Sequence, residues 1–524
     1  MTRSDRVASV VGLAAIALLA CLPTRSLAQD QPAQVQPSAD LIARGKYLTD
    51  MGDCVACHAA PGYPKFAGGQ YMQMPFGDIS TPNITPDKET GIGNYTDAQF
   101  IRLMQRGIMP DGSRIYPAMP YPWYAKVPKA DLLAIKAYLF TLKPVHAARL
   151  PNKIWFPFTI RPAIALWDAF FVPGEEFKPD PSKSDEINRG AYIVEGLEHC
   201  GTCHNHWNLL GNTAIAGNVE GGAITRWYAP NLRNDDLTGI GRFSVDDLVS
   251  FFKYGHSKSM GTVAGPMSET IDESTMKLTD SDLHAISVYL KSLPVVAAYT
   301  PTDGRYRPDA MAAGRQVYLS HCASCHQDNG QGVSERIPAL DGNGMVQAAG
   351  SQDVVRVVLG GLEARGPYGL MPGVGAAMSD KEIASVSNYV RQAWSNRAPA
   401  NTTTLLVSLL RKDTHTLLNG SRPDGCPALA ENDLAKVLDD SSNGIGALLQ
   451  QTTEANLLQN ANTIISKVRA VAPQIKREDL VNGLAIAYCP IVEKEPGLQE
   501  SQRIWQLTHF ADRVYVQLTT NGAY

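Results

Sequence analysis

The chain has 524 residues, with 47 Lys and Arg against 51 Asp and Glu for a formal net charge of −4, and 44% hydrophobic residues. That length accommodates several domains, each able to bury its own core. A mildly acidic balance without a clustered basic face argues against nucleic-acid binding.

Residues 1–28 have a basic start (Arg3, Arg6), an apolar run from Val7 to Ala20 and the small-residue pattern Ser26-Leu27-Ala28 before Gln29. They are predicted to be a secretory signal peptide. Leu18-Leu19-Ala20-Cys21 also approximates a lipoprotein cleavage box, so lipidation at Cys21 stands as the alternative to cleavage after Ala28. Loss of the leader removes Arg3, Arg6, Arg25 and Asp5, which leaves 44 basic against 50 acidic side chains and a net charge of −6. No later segment reaches the roughly 20 apolar residues that a spanning helix needs. Membrane attachment is therefore expected to be peripheral, lipid-mediated or through a partner.

The pentapeptide CxxCH then occurs three times, at Cys54-Val55-Ala56-Cys57-His58, Cys200-Gly201-Thr202-Cys203-His204 and Cys322-Ala323-Ser324-Cys325-His326. Two thiols at this spacing add across the two vinyl groups of one porphyrin, and the adjacent imidazole is held where it ligates the iron. A zinc knuckle or a thioredoxin-like dithiol is the competing reading of a lone CxxC, and three copies of CxxCH weigh against it. The expected cofactor is three covalently bound haem c groups. Attachment of this kind occurs outside the cytoplasmic membrane, so the motifs and the leader both point to the periplasm of a Gram-negative bacterium. Six of the nine Cys serve haem and Cys21 lies in the leader, leaving Cys426 and Cys489. In an oxidising compartment such a pair is expected to be bridged.

The surroundings of the motifs repeat as well. Arg44-Gly45-Lys46-Tyr47, Arg189-Gly190-Ala191-Tyr192 and Gly314-Arg315-Gln316-Val317-Tyr318 precede them as opening helices, and closing helices are predicted over 129–142, 279–293 and 379–394, with Tyr138, Tyr289 and Tyr389 in equivalent places. The first two units share Pro82-Asn83-Ile84 with Thr90-Gly91-Ile92-Gly93, echoed by Pro230-Asn231-Leu232 with Thr238-Gly239-Ile240-Gly241. Their glycines are expected to supply positive φ in a tight turn. Thr96 with Gln99 and Ser244 with Asp247 read as N-caps of helices opening at Asp97 and Val245. The predicted organisation is mainly α: a first haem domain over 41–150, an aromatic-rich linker over 151–180, a second haem domain over 181–297, a third over 305–398 and a small helical C-terminal domain over 401–524. Within the linker, Trp155, Phe156, Phe158, Trp167, Phe170 and Phe171 form a stretch for the membrane interface, for a catalytic subunit, or for burial between domains. In the C-terminal segment Leu457, Ala461, Ile464, Val468 and Val471 follow one helical face, as do Ile504, Leu507, Ala511, Val514 and Leu518.

His58, His204 and His326 each fill one axial position of an iron. Met119, Met267 and Met371 stand in Pro- or Gly-rich segments shortly before the closing helices, 61, 63 and 45 residues after those histidines. Their equivalent placement makes them the expected sixth ligands, with Met260, Met276 and Met378 as competitors. His199, His206, His256 and His321 have no counterparts across the units and are read as polar surface or propionate neighbours. With both axial positions filled, the irons carry electrons and do not bind substrate, and no catalytic site is evident.

Residues 41 to about 400 resemble the triheme cytochrome c subunit of membrane-bound alcohol, sugar, gluconate and aldehyde dehydrogenases. The resemblance rests on Gly52-Asp53-Cys54, Asn83-Ile84-Thr85-Pro86-Asp87-Lys88-Glu89-Thr90-Gly91-Ile92-Gly93, Tyr116-Pro117-Ala118-Met119-Pro120-Tyr121, Trp227-Tyr228-Ala229-Pro230-Asn231-Leu232 and Met371-Pro372-Gly373. It implies three class I cytochrome c domains with His/Met ligation. They would take electrons from a separate quinone-, flavin- or molybdenum-dependent catalytic subunit to membrane ubiquinone or a terminal oxidase. The alternatives are a multihaem enzyme such as a peroxidase with one open iron, and a stand-alone soluble carrier. From about Asn401 the resemblance lapses.

Overall fold

The computed structural model describes residues 37–60, 62–172, 174–206, 218–224, 226–301, 308–412 and 432–498, with 414, 426, 429 and scattered positions between 503 and 518. The leader with Cys21, and Ile504, lie outside the described residues. In the first unit, α1 (Ala39–Met51) runs into the short α2 (Cys54–His58) that is the CxxCH itself. A hairpin of β1 (Tyr71–Met74) and β2 (Gly77–Ser80) follows, then α3 (Asp97–Arg106), α4 (Tyr121–Tyr124) and the closing helix α5 (Lys129–Leu139). Strand β3 (Lys153–Ile154) returns to pair with β2, so the start of the linker belongs to the first unit's sheet. The linker continues as α6 (Ala163–Phe171).

The second unit repeats the plan: α7 (Asp185–Tyr192), α8 (Gly201–His204), the pair β4 (Gly222–Ile224) and β5 (Trp227–Ala229), α9 (Val245–Tyr254), the pair β6 (His256–Ser257) and β7 (Gly261–Thr262), α10 (Pro266–Glu273) and the closing α11 (Asp280–Ser292). The third is shorter, with α12 (Pro308–His321), α13 (Ala323–His326), α14 (Gln352–Gly360) and the closing α15 (Asp380–Gln392). Beyond it come α16 (Thr404–Arg411), α17 (Asp433–Asp439), α18 (Ile445–Gln450), α19 (Leu457–Val471) and α20 (Arg477–Glu493). The predicted N-caps Thr96 and Ser244 each close a capping box with the residue three positions on, and Ser379 does the same with Glu382 at the start of α15.

One contact recurs in all three units. A Cβ at Gly45, Gly190 or Gly314 would overlap a backbone carbonyl of the closing helix, that of Ala134, Ala285 or Ser385 respectively, and would also press on the Cβ of Tyr138, Tyr289 or Tyr389. Glycine is thus needed in the opening helix so that the two backbones can cross at contact distance. The glycines of the shared loop serve the same end: a Cβ at Gly91, Gly93 or Gly239 would strike the carbonyl of Thr85, Pro86 or Arg233. None of these three has positive φ, so the expected turn conformation gives way to close approach.

The apolar core falls into separate clusters. One runs through the first and second units, from Leu48 and Met51 to Leu283, Ile286 and Leu290 of α11. A second fills the third unit and takes in Val407 and Leu410 of α16, and a third belongs to α17–α20 and the helical residues after 503. The first two units are also braced crosswise. Arg44 pairs with Asp131 of its own closing helix (2.5 Å), and Tyr192 of the second unit donates to the same carboxylate (2.6 Å). Reciprocally, Arg189 forks onto Asp282 (2.8 and 2.7 Å) and Tyr47 of the first unit donates to it (2.7 Å). In the third unit the corresponding Tyr318 instead donates within its own unit, to the Gln327 carbonyl (2.5 Å).

In the C-terminal segment Leu457, Ala461, Ile464 and Val468 are buried as expected, whereas Val471 is 55% exposed at the helix end. Cys426 and Cys489, both fully buried, form a disulfide. Replacing Gly190 with Ala is expected to lower the unfolding midpoint and the haem content, because overpacking at about 1–3 kcal/mol outweighs a helix-propensity gain of about 1 kcal/mol. Gly174→Ala, which meets no atom within 4 Å, should leave both unchanged in a thermal melt and a haem assay.

Candidate haem-binding sites

The opening helices deliver the three CxxCH segments with their histidines oriented alike. His58 Nδ1 lies 2.7 Å from the Pro82 carbonyl, His204 Nδ1 2.7 Å from that of Pro230 and His326 Nδ1 3.1 Å from that of Pro338. A carbonyl only accepts, so Nδ1 carries the proton and the Nε2 lone pair is left for a metal. Burial lowers the pKa of all three imidazoles, which keeps them in the neutral form that ligation requires. The third proline was missed in the sequence because it follows its histidine by 12 residues, against 24 and 26 in the other units.

The six thiols are unbridged. Burial pushes Cys57 up to about 12, Cys203 to about 11 and Cys322 to about 12. Such thiols stay protonated, unlike the low-pKa thiolate of a redox-active dithiol or the thiolates that bind zinc. Among the described residues no group of three or more His, Cys, Asp or Glu side chains is placed to hold a metal ion by itself.

The thioethers come before the closing helices: Met119 in the turn ahead of α4, Met267 in the first turn of α10, and Met371 in the loop between α14 and α15. In the second unit one cavity of about 220 Å³ is lined by Cys200, Cys203, His204, Met260 and Met267. In the third a cavity of about 400 Å³ is lined by Cys322, Cys325, His326, Met345 and Met371. In the first, Met119, like Cys54, Ala59, Ile84 and Tyr95, is partly buried and packs against the core that runs through the first two units. Two thiols, a neutral imidazole with its Nε2 free and a thioether around an apolar cavity are the donor set that haem c requires. Met378 is instead buried in the third unit's core, and neither it nor Met276 is among the described lining residues. Met345 is a thioether that sequence reasoning passed over, since Asn343-Gly344-Met345 has no counterpart in the other units.

Of the four remaining histidines considered, His206 and His321 are exposed, while His256 is half-buried and meets the Tyr368 ring edge-on at 6.1 Å. His199 departs from the polar-surface reading: it stacks edge-on against Tyr124 of the first unit at 5.6 Å, and burial drives its pKa down to about 4. Trp123 lies over Gly201, where any side chain would overlap its ring, and the Tyr124 hydroxyl donates to the Gly52 carbonyl at 3.1 Å. The first and second CxxCH segments are therefore neighbours. The second and third cavities share a wall of Thr262, Asn343 and Met345.

Between the first two segments lie two buried carboxyl groups. Burial and then the nearby Glu269 push Asp53 up to about 8, and burial with Asp53 raises Glu198 well above the carboxylate range. Ser274 donates to Glu198 Oε2 at 2.8 Å, while Asp53 Oδ1 and Glu198 Oε1 have no hydrogen-bond partner among the described residues. A folded-state pKa raised above the unfolded value of about 3.9 gives stability that is complete below that value and is lost as pH rises through about 8. Denaturant midpoints at pH 5 and pH 9 should accordingly fall with pH, and Asp53→Asn should flatten that slope.

Comparison with known proteins places these observations in context. The cytochrome c family profile matches residues 42–143 and 311–394. The chain is 38% identical to the cytochrome c subunit of a quinone-dependent alcohol dehydrogenase of Gluconacetobacter polyoxogenes, across 72% of this chain and 85% of the relative. It is 36% identical to the gluconate 2-dehydrogenase cytochrome c subunit of Pantoea cypripedii, across 76% and 94%. It is 34% identical to the fructose dehydrogenase cytochrome subunit of Gluconobacter japonicus, across 75% and 87%.

Proposed function

This chain belongs to the cytochrome c subunits of dehydrogenase complexes, an electron-transfer cytochrome with covalently bound haem c, and on that premise we propose that it is a periplasmic triheme relay between a catalytic dehydrogenase subunit and membrane ubiquinone. The proposed attachment residues are Cys54 and Cys57, Cys200 and Cys203, and Cys322 and Cys325. The proposed axial pairs are His58 with Met119, His204 with Met267 and His326 with Met371, in three tandem haem domains followed by a helical C-terminal domain. The observation that carries the reading is the threefold Nδ1-to-proline-carbonyl bond beside each thiol pair.

When bound, haem c supplies a one-electron iron couple. The chain's own residues hold each imidazole in one tautomer, bring a thioether to two of the cavities and to the first unit's core, and surround these sites with apolar side chains that exclude water. Met260, Met267 and Met345 line the second cavity and Met345 and Met371 the third, and Met267 and Met371 are preferred because only they, with Met119, recur in register before a closing helix. The contacts between the first and second segments, and the wall common to the second and third cavities, support a continuous path from end to end. An acidic mature chain and a leader support export, and none of the described helices is long and apolar enough to cross a membrane.

The linker supports peripheral attachment. Asp168 on the inner face of α6 accepts from Tyr121 Oη at 2.5 Å and pairs with Arg114, while Ile164 packs inward. Outward it presents Trp155, Phe156, Phe158, Leu166 and Phe170, which are 50 to 80% exposed. An apolar patch of this extent is suited to a lipid interface.

Single replacement of Met119, Met267 and Met371 by Leu is expected to remove about a third of the thioether-to-iron charge-transfer absorbance in each case. Three silent variants would overturn the ligand assignment. Detergent extraction followed by affinity purification should bring down a larger catalytic subunit in stoichiometric amount, and isolation of the chain alone would count against the relay. Phe156→Ser combined with Phe170→Ser is expected to shift the protein from membrane pellet to supernatant by more than about tenfold, each buried Phe contributing roughly 1.5–3 kcal/mol, with haem content unchanged.

A further inference from the structure

The loop from Gly361 to Gly373 carries Met371 between α14 and α15, and its only regular pairing is two isolated bridges, Leu362 with Met371 and Arg365 with Tyr368. The tip of the loop is tied to the second unit, through the Arg365 fork onto Asp272 (2.7 and 2.9 Å) and the bond from Tyr368 Oη to the Ser257 carbonyl (3.1 Å). Its two arms are held by the chain beyond residue 400. Asn482 of α20 accepts from the Ala364 N–H at 2.9 Å and donates to the Ala364 carbonyl at 3.2 Å, making with one side chain both bonds that a neighbouring strand would make. Ala364 belongs to the core of the C-terminal helices and Leu370 packs against it. On the far side of Met371, Arg411 of α16 donates to the carbonyls of Gly375 (2.9 Å) and Met378 (2.8 Å) and pairs with Asp380 (2.8 Å). His509 and Ala511, more than a hundred residues downstream of Met371, line the same cavity as His326 and Met371. Cys489 lies two helical turns along α20 from Asn482, and its disulfide to Cys426 fastens that helix to the segment before α17.

We propose that α16–α20, together with His509 and Ala511, form a cap for the third haem site. The cap positions Met371 from outside the haem unit and closes that cavity to water and small ligands, with Asn482 and Arg411 as its positioning residues. Within its own unit the loop is held by its two bridges and by the bond from the Gly369 N–H to the Arg336 carbonyl (3.1 Å). The Asn482 and Leu370 contacts bear on its arms and the Arg411 bonds on the segment that follows it, and together they set the position of Met371. The inference rests on the assignment of Met371 to the third iron.

The test uses the full-length protein with its haems, comparing Asn482→Ala combined with Arg411→Met against Met371→Leu as reference. Three haems per chain are verified by the pyridine haemochrome assay. The double variant is expected to lose charge-transfer absorbance toward the level of Met371→Leu, about a third of the total, and its ferrous form to gain about one carbon monoxide site per chain. An intact band with no carbon monoxide uptake would overturn the cap, and so would a loss spread over all three sites. If Met371→Leu alone leaves the band intact, the ligand assignment falls and the cap falls with it; if that variant responds and the double variant does not, the cap alone is lost. Asn482→Ala by itself supplies a second readout should the double variant not retain its haems: the Ala364 amide is expected to exchange with deuterium at least tenfold faster than in the parent, and unchanged exchange would overturn the proposal.

Discussion

In each unit a glycine of the opening helix touches a backbone carbonyl of the closing helix, and that contact governs where everything else can be. The opening helix leads into CxxCH, and the Met segment precedes the closing helix, with α4 in between in the first unit and the rest of α10 in the second. Crossing the two helices at backbone contact therefore brings the CxxCH histidine and a methionine, 45 to 63 residues apart in sequence, into one small unit. A methyl group at the crossing would push the helices apart, in an interior where even a methylene is felt.

The histidine needs a second constraint, because a ring placed near an iron still has two nitrogens to offer. Proline carbonyls settle the choice in all three units, and they do so from loops of different length. In the first two units an asparagine side chain shapes that loop: Asn83 accepts from the Thr85 N–H at 2.9 Å and Asn231 from the Arg233 N–H at 2.8 Å, while each donates onward to the segment after its closing helix, at Val145 and Val296. The third unit dispenses with the asparagine and keeps the carbonyl. What is common to the units is thus a hydrogen bond, and the sequence that supplies it varies.

The parts that differ between units are the parts that join them. Crossed Arg–Asp–Tyr braces tie the first unit to the second, with buried carboxylates at their centres, and such groups are costly unless paired and hydrogen-bonded. The aromatic linker fastens to the segment after Met119 through Tyr121 and Asp168, as the C-terminal helices fasten to the loop around Met371.

Much of this was legible in the sequence, because the repeated motifs and the helical period are local signals. The CxxCH segments, the opening and closing helices, the capping boxes at Thr96, Ser244 and Ser379 and the buried face of α19 through Val468 all depend on residues within a few turns of one another. Other features depend on distance and were not legible. Gly91 and Gly239 are required by carbonyls that approach them and not by their own φ, Pro338 was hidden by a shorter spacing, and His199 is half-covered by Tyr124 of the first unit. Met345 and His509 reach the third cavity through folding alone. Sequence by itself determined which groups are repeated and hence what chemistry the chain can host, since covalent attachment and helix periodicity are written in short spacings. Only the tertiary structure decided which nitrogen, which thioether and which distant helix meet at a given site, because those meetings are made by packing between segments that no local pattern connects.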